Sequence, residues 1–291
     1  MARRGKATAT NHQWQTDALA AAGSNRQVEG DDATFTTATP TTMLSNRTQI
    51  ARKTLIVSET ADAVRKYGRD TEFAYQIAKY GKEIKRDIEW QLVGNQASSA
   101  GGSTTARSAA GLEAIIASNV VRSAASGVAI TPGYVGGDWV AATDGTATGA
   151  GSTISEDNLK AALELAWQDG GDTDLILTNT YQKRQIANFV GAAKFAGNYN
   201  DNGKAQGILV AGVSLYISDF GEHKIKLDRF LRQRTLFCLD TEYLEVAWLR
   251  PLKTTPLAKT GDAEKAFMRG EWTLVVGQPD AHAKIADLFS V

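Results

Sequence analysis

NRTQIARKTLIVSETADAVRKYGRDTEFAYQIAKYGKEIKRDIEWQLV, residues 46–93, joins a polar strand-like stretch to one long amphipathic segment. Residues 46–58 alternate loosely and end in the β-favouring run Thr54, Leu55, Ile56 and Val57, which predicts a hairpin arm. Within residues 69–93, Phe73, Ile77, Gly81, Ile84, Ile88 and Leu92 recur at three- and four-residue steps, one stripe of a helix. At a rise of ~1.5 Å per residue that helix is on the order of 35 Å long. Neither part carries a group placed for catalysis. An arm beside a long rigid helix suits holding neighbours better than enclosing a small substrate.

The remaining composition bounds the class. With 291 residues, 43% hydrophobic and 22% charged, the chain can form one large domain or two modest ones with a proper core. No apolar run approaches the ~18 residues needed to span a membrane. The start, MARRGKATATNHQWQTD, is basic but lacks the apolar stretch of a secretory signal. The single cysteine, Cys238, lies in an apolar run, so a buried strand residue and a reducing, cytoplasmic folding compartment are expected. Net charge is zero, yet residues 1–93, 94–180 and 181–291 carry +3, −6 and +3. Such complementarity can act within one subunit or between copies.

Residues 1–45 are rich in Thr, Ala, Asn and Gly and read as an arm, mobile or lying against something else, with Trp14 as its best anchor for a neighbour's pocket. Residues 95–111 and 141–153 read as small-residue linkers, and 112–122 as a short helix. Thr153 and Glu156 fit a capping box for a helix with Leu159, Leu163, Ala166 and Trp167 on its apolar face. Residues 174–178 read as a buried strand, with Asn179 capping a helix over 180–190. From Val213 onward alternation predicts strands, among them Leu244–Val246–Trp248 and Trp272–Leu274–Val276, paired antiparallel rather than in βαβ units. The whole is an α+β chain, helices early and strands late.

Catalytic signals are sparse. His12, His223 and His282 read as arm, turn or surface residues without a partnered Ser or Cys nucleophile. No HExxH, CxxC or phosphate loop occurs, and Asp169, Asp172 and Asp174 read as a helix-to-strand turn rather than a calcium loop. No catalytic residue, metal or cofactor is expected. Lys79–Glu83 and Lys85–Glu89 offer ordinary helix-surface support.

Several stretches carry a family likeness: Trp14-Gln15-Thr16-Asp17, Val28-Glu29-Gly30, Asn46-Arg47-Thr48-Gln49-Ile50, residues 72–94 and residues 270–288. The chain resembles the SU-ten-type phage major capsid proteins. The resemblance implies the Hong Kong 97-type capsid fold (HK97-like), α+β, with an N-terminal arm (1–33), an extended hairpin loop (34–68) and a peripheral domain (69–172) whose spine helix is 69–93. An axial domain (173–235) and peripheral return strands (236–291) complete it. It also implies a virion shell protein, built as pentamers and hexamers around double-stranded DNA and assembled in the bacterial host cytoplasm. Separate scaffolding, portal and decoration proteins are the expected partners, and no membrane. On this reading Arg47, Arg52 and Lys53 reach acidic or carbonyl groups of the next subunit, with the acidic middle segment a candidate partner region. Trp14, Glu83 and Arg86 join them as assembly residues, while Arg3, Arg4 and Lys6 face DNA. Rival readings are an encapsulin-like compartment, a tail or fibre subunit, or an enzyme with an unrecognised site.

Overall fold

The computed structural model describes residues 2–33, 35–64, 67–68, 71–122, 133–143, 153–189 and 214–289. The chain opens with strands β1 (Arg3–Lys6), β2 (Asn11–Thr16), β3 (Thr42–Arg47) and β4 (Gln49–Ser58). Helices α1 (Glu59–Ala63), α2 (Glu72–Val93) and α3 (Leu112–Ile115) follow, then β5 (Val120–Arg122), β6 (Tyr134–Val135) and β7 (Asp138–Trp139). Next come α4 (Glu156–Gln168), β8 (Leu175–Thr178) and α5 (Thr180–Ile186). The described chain ends with β9 (Leu215–Ser218), β10 (Gly221–Leu227), β11 (Leu236–Leu239), β12 (Leu244–Pro256), β13 (Ala263–Val276) and β14 (Ala283–Ala286).

The amphipathic stripe forms α2 as expected. Ile84 and Ile88 are buried, and Phe73, Ile77 and Leu92 pack beside them. Gly81 keeps the stripe thin where Met268 crosses, since an added Cβ would sit 3.6 Å from the Met268 Cε. Thr71 is the N-cap; residues 69 and 70, included in the expected helix, lie outside the described set.

Beneath α2 lies a four-stranded sheet in the order β1-β12-β13-β4, parallel only between β1 and β12. Alternation on β4 turns Leu55 and Val57 toward Phe73, Ile77 and Tyr80, while Ile50, Arg52, Thr54 and Ile56 point away and are exposed. A second, mixed sheet runs β5-β14-β11-β8-β10-β9, with α4 packed on it through Leu159, Leu163 and Ala166. A third group, with Phe237, Leu239, Leu244 and Val276 at its centre, fills the space between the two sheets.

Several expectations are corrected. The hairpin expected in 46–58 does not form within that stretch: β4 pairs along its length with β13, and the local hairpin is β2 with β3, closed across residues 17–41. Strands therefore begin the chain as well as end it. The arm is partly ordered, because β1 gives the open edge of β12 a hydrogen-bonding partner. Residues 112–122 divide into the one-turn α3 and strand β5. Ser155, not Thr153, caps α4, its hydroxyl accepting from the Asn158 N–H at 3.1 Å. The β8–β10 pair is parallel, with α5 in the intervening chain, so pairing is not uniformly antiparallel. Asn179 caps α5 by accepting the Gln182 N–H at 2.9 Å, a cap worth about 1 kcal/mol. That helix ends at Ile186, and 190–213 lies outside the described residues. Cys238 is buried in β11, and burial pushes its thiol up to about 12.

Candidate assembly surfaces

The polar run after β3 works inward. Asn46 is buried, donates to the Leu274 carbonyl at 2.8 Å and accepts the Ala110 N–H at 2.8 Å. Gln49 accepts from Gln96 at 2.8 Å and from the Ala109 N–H at 3.1 Å. Thr48 donates to Glu271 at 2.7 Å. Between them these side chains tie β3 and β4 to β13 and to the small-residue stretch 95–111.

Glu271 is the hub of this clip and was not singled out from sequence. It is buried between Gly270 and Trp272 on β13, and it takes Thr48 and Arg107 on one oxygen and Arg250, at 2.8 Å, on the other. Burial opposes its ionisation. The hydrogen bonds from Thr48 and Arg250 and the charges of Arg250 and Arg107 outweigh it, so the carboxyl sits below its usual range. The visible signal was a lone carboxylate leading an otherwise apolar run.

Most residues expected to reach a neighbour are engaged within their own chain. Trp14, half-buried on β2, packs against Ala247 and Val275 and beside the core between the sheets. Arg47 pairs with Asp138 at 2.9 Å, and that hydrogen bond, with Ser98 adding a second, holds the Asp138 carboxyl below its usual range. The acidic middle segment thus partners Arg47 in cis. Lys53 turns toward α2 and meets Asp87 at 2.8 Å and Glu83 at 3.9 Å. Glu83 also meets Lys79 at 4.0 Å, whereas Lys85 and Glu89 form no ion pair among the described residues. Arg86 lies over the Phe230 ring at 5.5 Å. Arg52 is exposed and, among the described residues, has no ion pair and, unlike the also exposed Arg86, stacks on no ring. Arg3, Arg4 and Lys6 are exposed on β1 rather than on a free tail, and Arg3 pairs with Glu242 at 3.3 Å.

Two histidines expected at turns or the surface are buried. His223 holds the β9–β10 hairpin to its neighbours: its Nδ1 lies 2.6 Å from the Thr173 carbonyl and its Nε2 2.7 Å from the Ser218 hydroxyl. This is a Ser–His contact that sequence did not flag, and a main-chain carbonyl stands where a triad has its carboxylate. His282 is fully buried, with Nδ1 accepting the Asp240 N–H at 3.1 Å. His12 lies on β2 beside Trp14. Asp174, in the α4-to-β8 turn, accepts from the Thr241 N–H and hydroxyl at 2.9 Å. Among the described residues no group of three or more His, Cys, Asp or Glu is placed to hold a metal, and no helix is long and apolar enough to cross a membrane.

Further ion pairs bind the second sheet to α3. Glu113, buried, accepts from Arg232 and Thr235 at 3.0 Å, and the fully buried Lys284 donates to the Glu113 carbonyl at 2.5 Å. Asp287 takes Arg122 at 3.1 Å and Arg234 at 3.4 Å. The chain thus presents a long helix over a long-stranded sheet, a second mixed sheet and an exposed β2–β3 connection.

The sequence model of the family described as SU10 major capsid protein matches residues 1–289. The chain belongs to that family. A curated relative, the major capsid protein of Escherichia phage Phieco32, is 52% identical over 85 residues, which are 29% of this chain and 24% of the relative. The aligned part thus spans about a quarter of that relative's length. Among solved structures, the capsid asymmetric unit of cyanophage A-1(L) superposes with a TM-score of 0.68 at 15% identity, covering 99% of this chain and 91% of the other. Microbacterium phage Oxtober96 gives 0.60 at 14% identity over 98% and 88%. An encapsulin complex from Synechococcus elongatus gives 0.57 at 9% identity over 99% and 85%. These likenesses establish the HK97-like capsid fold. Fold alone does not separate phage shell from encapsulin; the family match does.

Proposed function

We propose that this SU10-family chain is the repeating subunit of a closed icosahedral shell, arranged as pentamers and hexamers around the double-stranded DNA of a tailed phage. The observation that carries the reading is the family match across residues 1–289. On it, α2 with the four-stranded sheet forms the peripheral domain, and the six-stranded sheet with α4 and α5 forms the axial domain. In this reading the axial domain extends past residue 235, since β11 and β14 share a sheet with β8 and β10. Each contact between subunits is weak, and closure of many copies multiplies them. The chain performs no catalysis, assembles in the host cytoplasm, and works with separate scaffolding, portal and decoration proteins.

Negative-stain electron microscopy with light scattering on the purified chain tests this. Closed shells, or pentamers and hexamers, are expected. A particle that stays monomeric or dimeric with crowding agents and co-expressed phage partners refutes it, and shells loaded with protein cargo instead of DNA favour the encapsulin reading. Arg4 and Lys6, exposed on β1 with Arg3, act as non-specific counterions to the packaged genome. Neutralising all three is expected to reduce the DNA length retained per particle, measured by gel sizing; unchanged length removes that role.

A further inference from the structure

Two surfaces of this chain are left open, and they match. The first is the connection 17–41 between β2 and β3, in which every described residue is exposed. It displays Leu19, Val28 and Phe35, at 100%, 76% and 94% exposure. Its charge is acidic: Asp17, Glu29, Asp31 and Asp32 against the single Arg26. Gly30, at φ +83, allows a turn in which the Asp31 N–H returns to the Val28 carbonyl at 3.2 Å, so three carboxylates cluster at the bend. Eleven residues, 17–27, lead from β2 to that bend and ten, 32–41, lead from it to β3, a reach of at most about 40 Å.

The second is the face of the four-stranded sheet turned away from α2. Register places Arg52 of β4 opposite Arg269 of β13, and Arg269 opposite Lys253 of β12. All three are exposed, and none is in an ion pair among the described residues. Like charges directly opposite on a sheet are destabilising, so this row favours an acidic cover. Arg250, nearby, is already neutralised by Glu271. The row is flanked on β4 by Ile50 and Ile56, 51% and 64% exposed, while Arg269 lies over the Phe267 ring at 5.0 Å. It lies on or next to an open sheet edge, since among the described residues β4 has no partner on its outer side.

We infer that the 17–41 connection of one subunit seats on this outer face of a second copy, its Glu29-Asp31-Asp32 bend on the Arg52–Arg269–Lys253 row and its apolar side chains against Ile50 and Ile56. The inference rests on the shell reading and deepens it. On it the reaching element is the β2–β3 connection, which shares residues 34–41 with the 34–68 loop expected from sequence.

Charge exchange on the full chain tests it. Asp31→Arg with Asp32→Arg, and separately Arg52→Glu with Arg269→Glu, are each expected to lower shell yield at least about tenfold, because a small loss per contact is multiplied over the shell. All four together are expected to restore it, with circular dichroism confirming that each subunit is folded. Full yield from either pair, or no recovery in the fourfold variant, overturns the seating. A readout independent of charge uses Asp31→Cys with Arg269→Cys: oxidised shells are expected to run as covalent ladders, and monomers alone overturn it. If the unaltered chain forms no shells in the same assay, the shell reading itself has failed.

Discussion

Replacing Glu271 by alanine is expected to lower the unfolding free energy by about 3 kcal/mol, the lower end of what breaking a buried ion pair costs. The side chain is only 4% exposed, whereas Arg107 and Arg250 are 26% and 44% exposed and regain some solvation when it is lost. The Thr48 hydroxyl is fully buried and would lose its acceptor. Arg107 also donates to the Thr48 carbonyl at 2.6 Å, so its position at the β3–β4 junction loosens with the carboxylate. By contrast, removing the exposed Arg3–Glu242 pair is expected to cost less than about 1 kcal/mol. Urea denaturation of the unassembled subunit measures both. A Glu271 variant no less stable than one lacking Glu242 would show that the clip does not hold β3 and β4 to β13.

Why the clip escaped sequence reading has a physical answer. The α2 stripe was legible because a helix buries residues three and four apart, a pattern local to the chain. Asn46, Arg47, Thr48 and Gln49 instead satisfy groups on Leu274, Asp138, Glu271 and Gln96, and no local period encodes such pairings. Strand character of β4 was legible from Thr54 to Val57, but its partner was not: Gln49 lies opposite Trp272, far along the chain. Adjacent polar strand residues were therefore read as a hairpin with themselves. The same limit applies to β1, whose RRGK has no strand signal and is ordered by the edge it meets. The charge pattern told more. An acidic middle between basic ends does mark complementarity, and Arg47–Asp138 realises it inside one chain. Residues chosen as intersubunit contacts for their charge were thus mostly spent at home, and Arg52 stands out because it was not.

Acid is expected to weaken the subunit through His282. Burial holds its pKa down at about 4, with Asp174 pulling weakly the other way. An unfolded histidine titrates near ~6.5, so between those values the unfolded chain takes up a proton that the folded chain refuses. Stability from this group is therefore complete above pH ~6.5 and is lost as pH falls toward 4, by about 3 kcal/mol in all. His223, also lowered by burial, acts in the same direction. Asp240, raised by burial, opposes both as it gains its proton more readily when folded. His282→Asn isolates the histidine, because an amide oxygen can take over the Asp240 N–H and carries no charge in this range. Urea unfolding of the two chains from pH 7 to 4 is expected to show their stability difference shifting by about 3 kcal/mol in favour of the variant. A difference that stays flat across that range would mean that His282 protonates freely in the folded subunit, through an opening of the β14 segment around it.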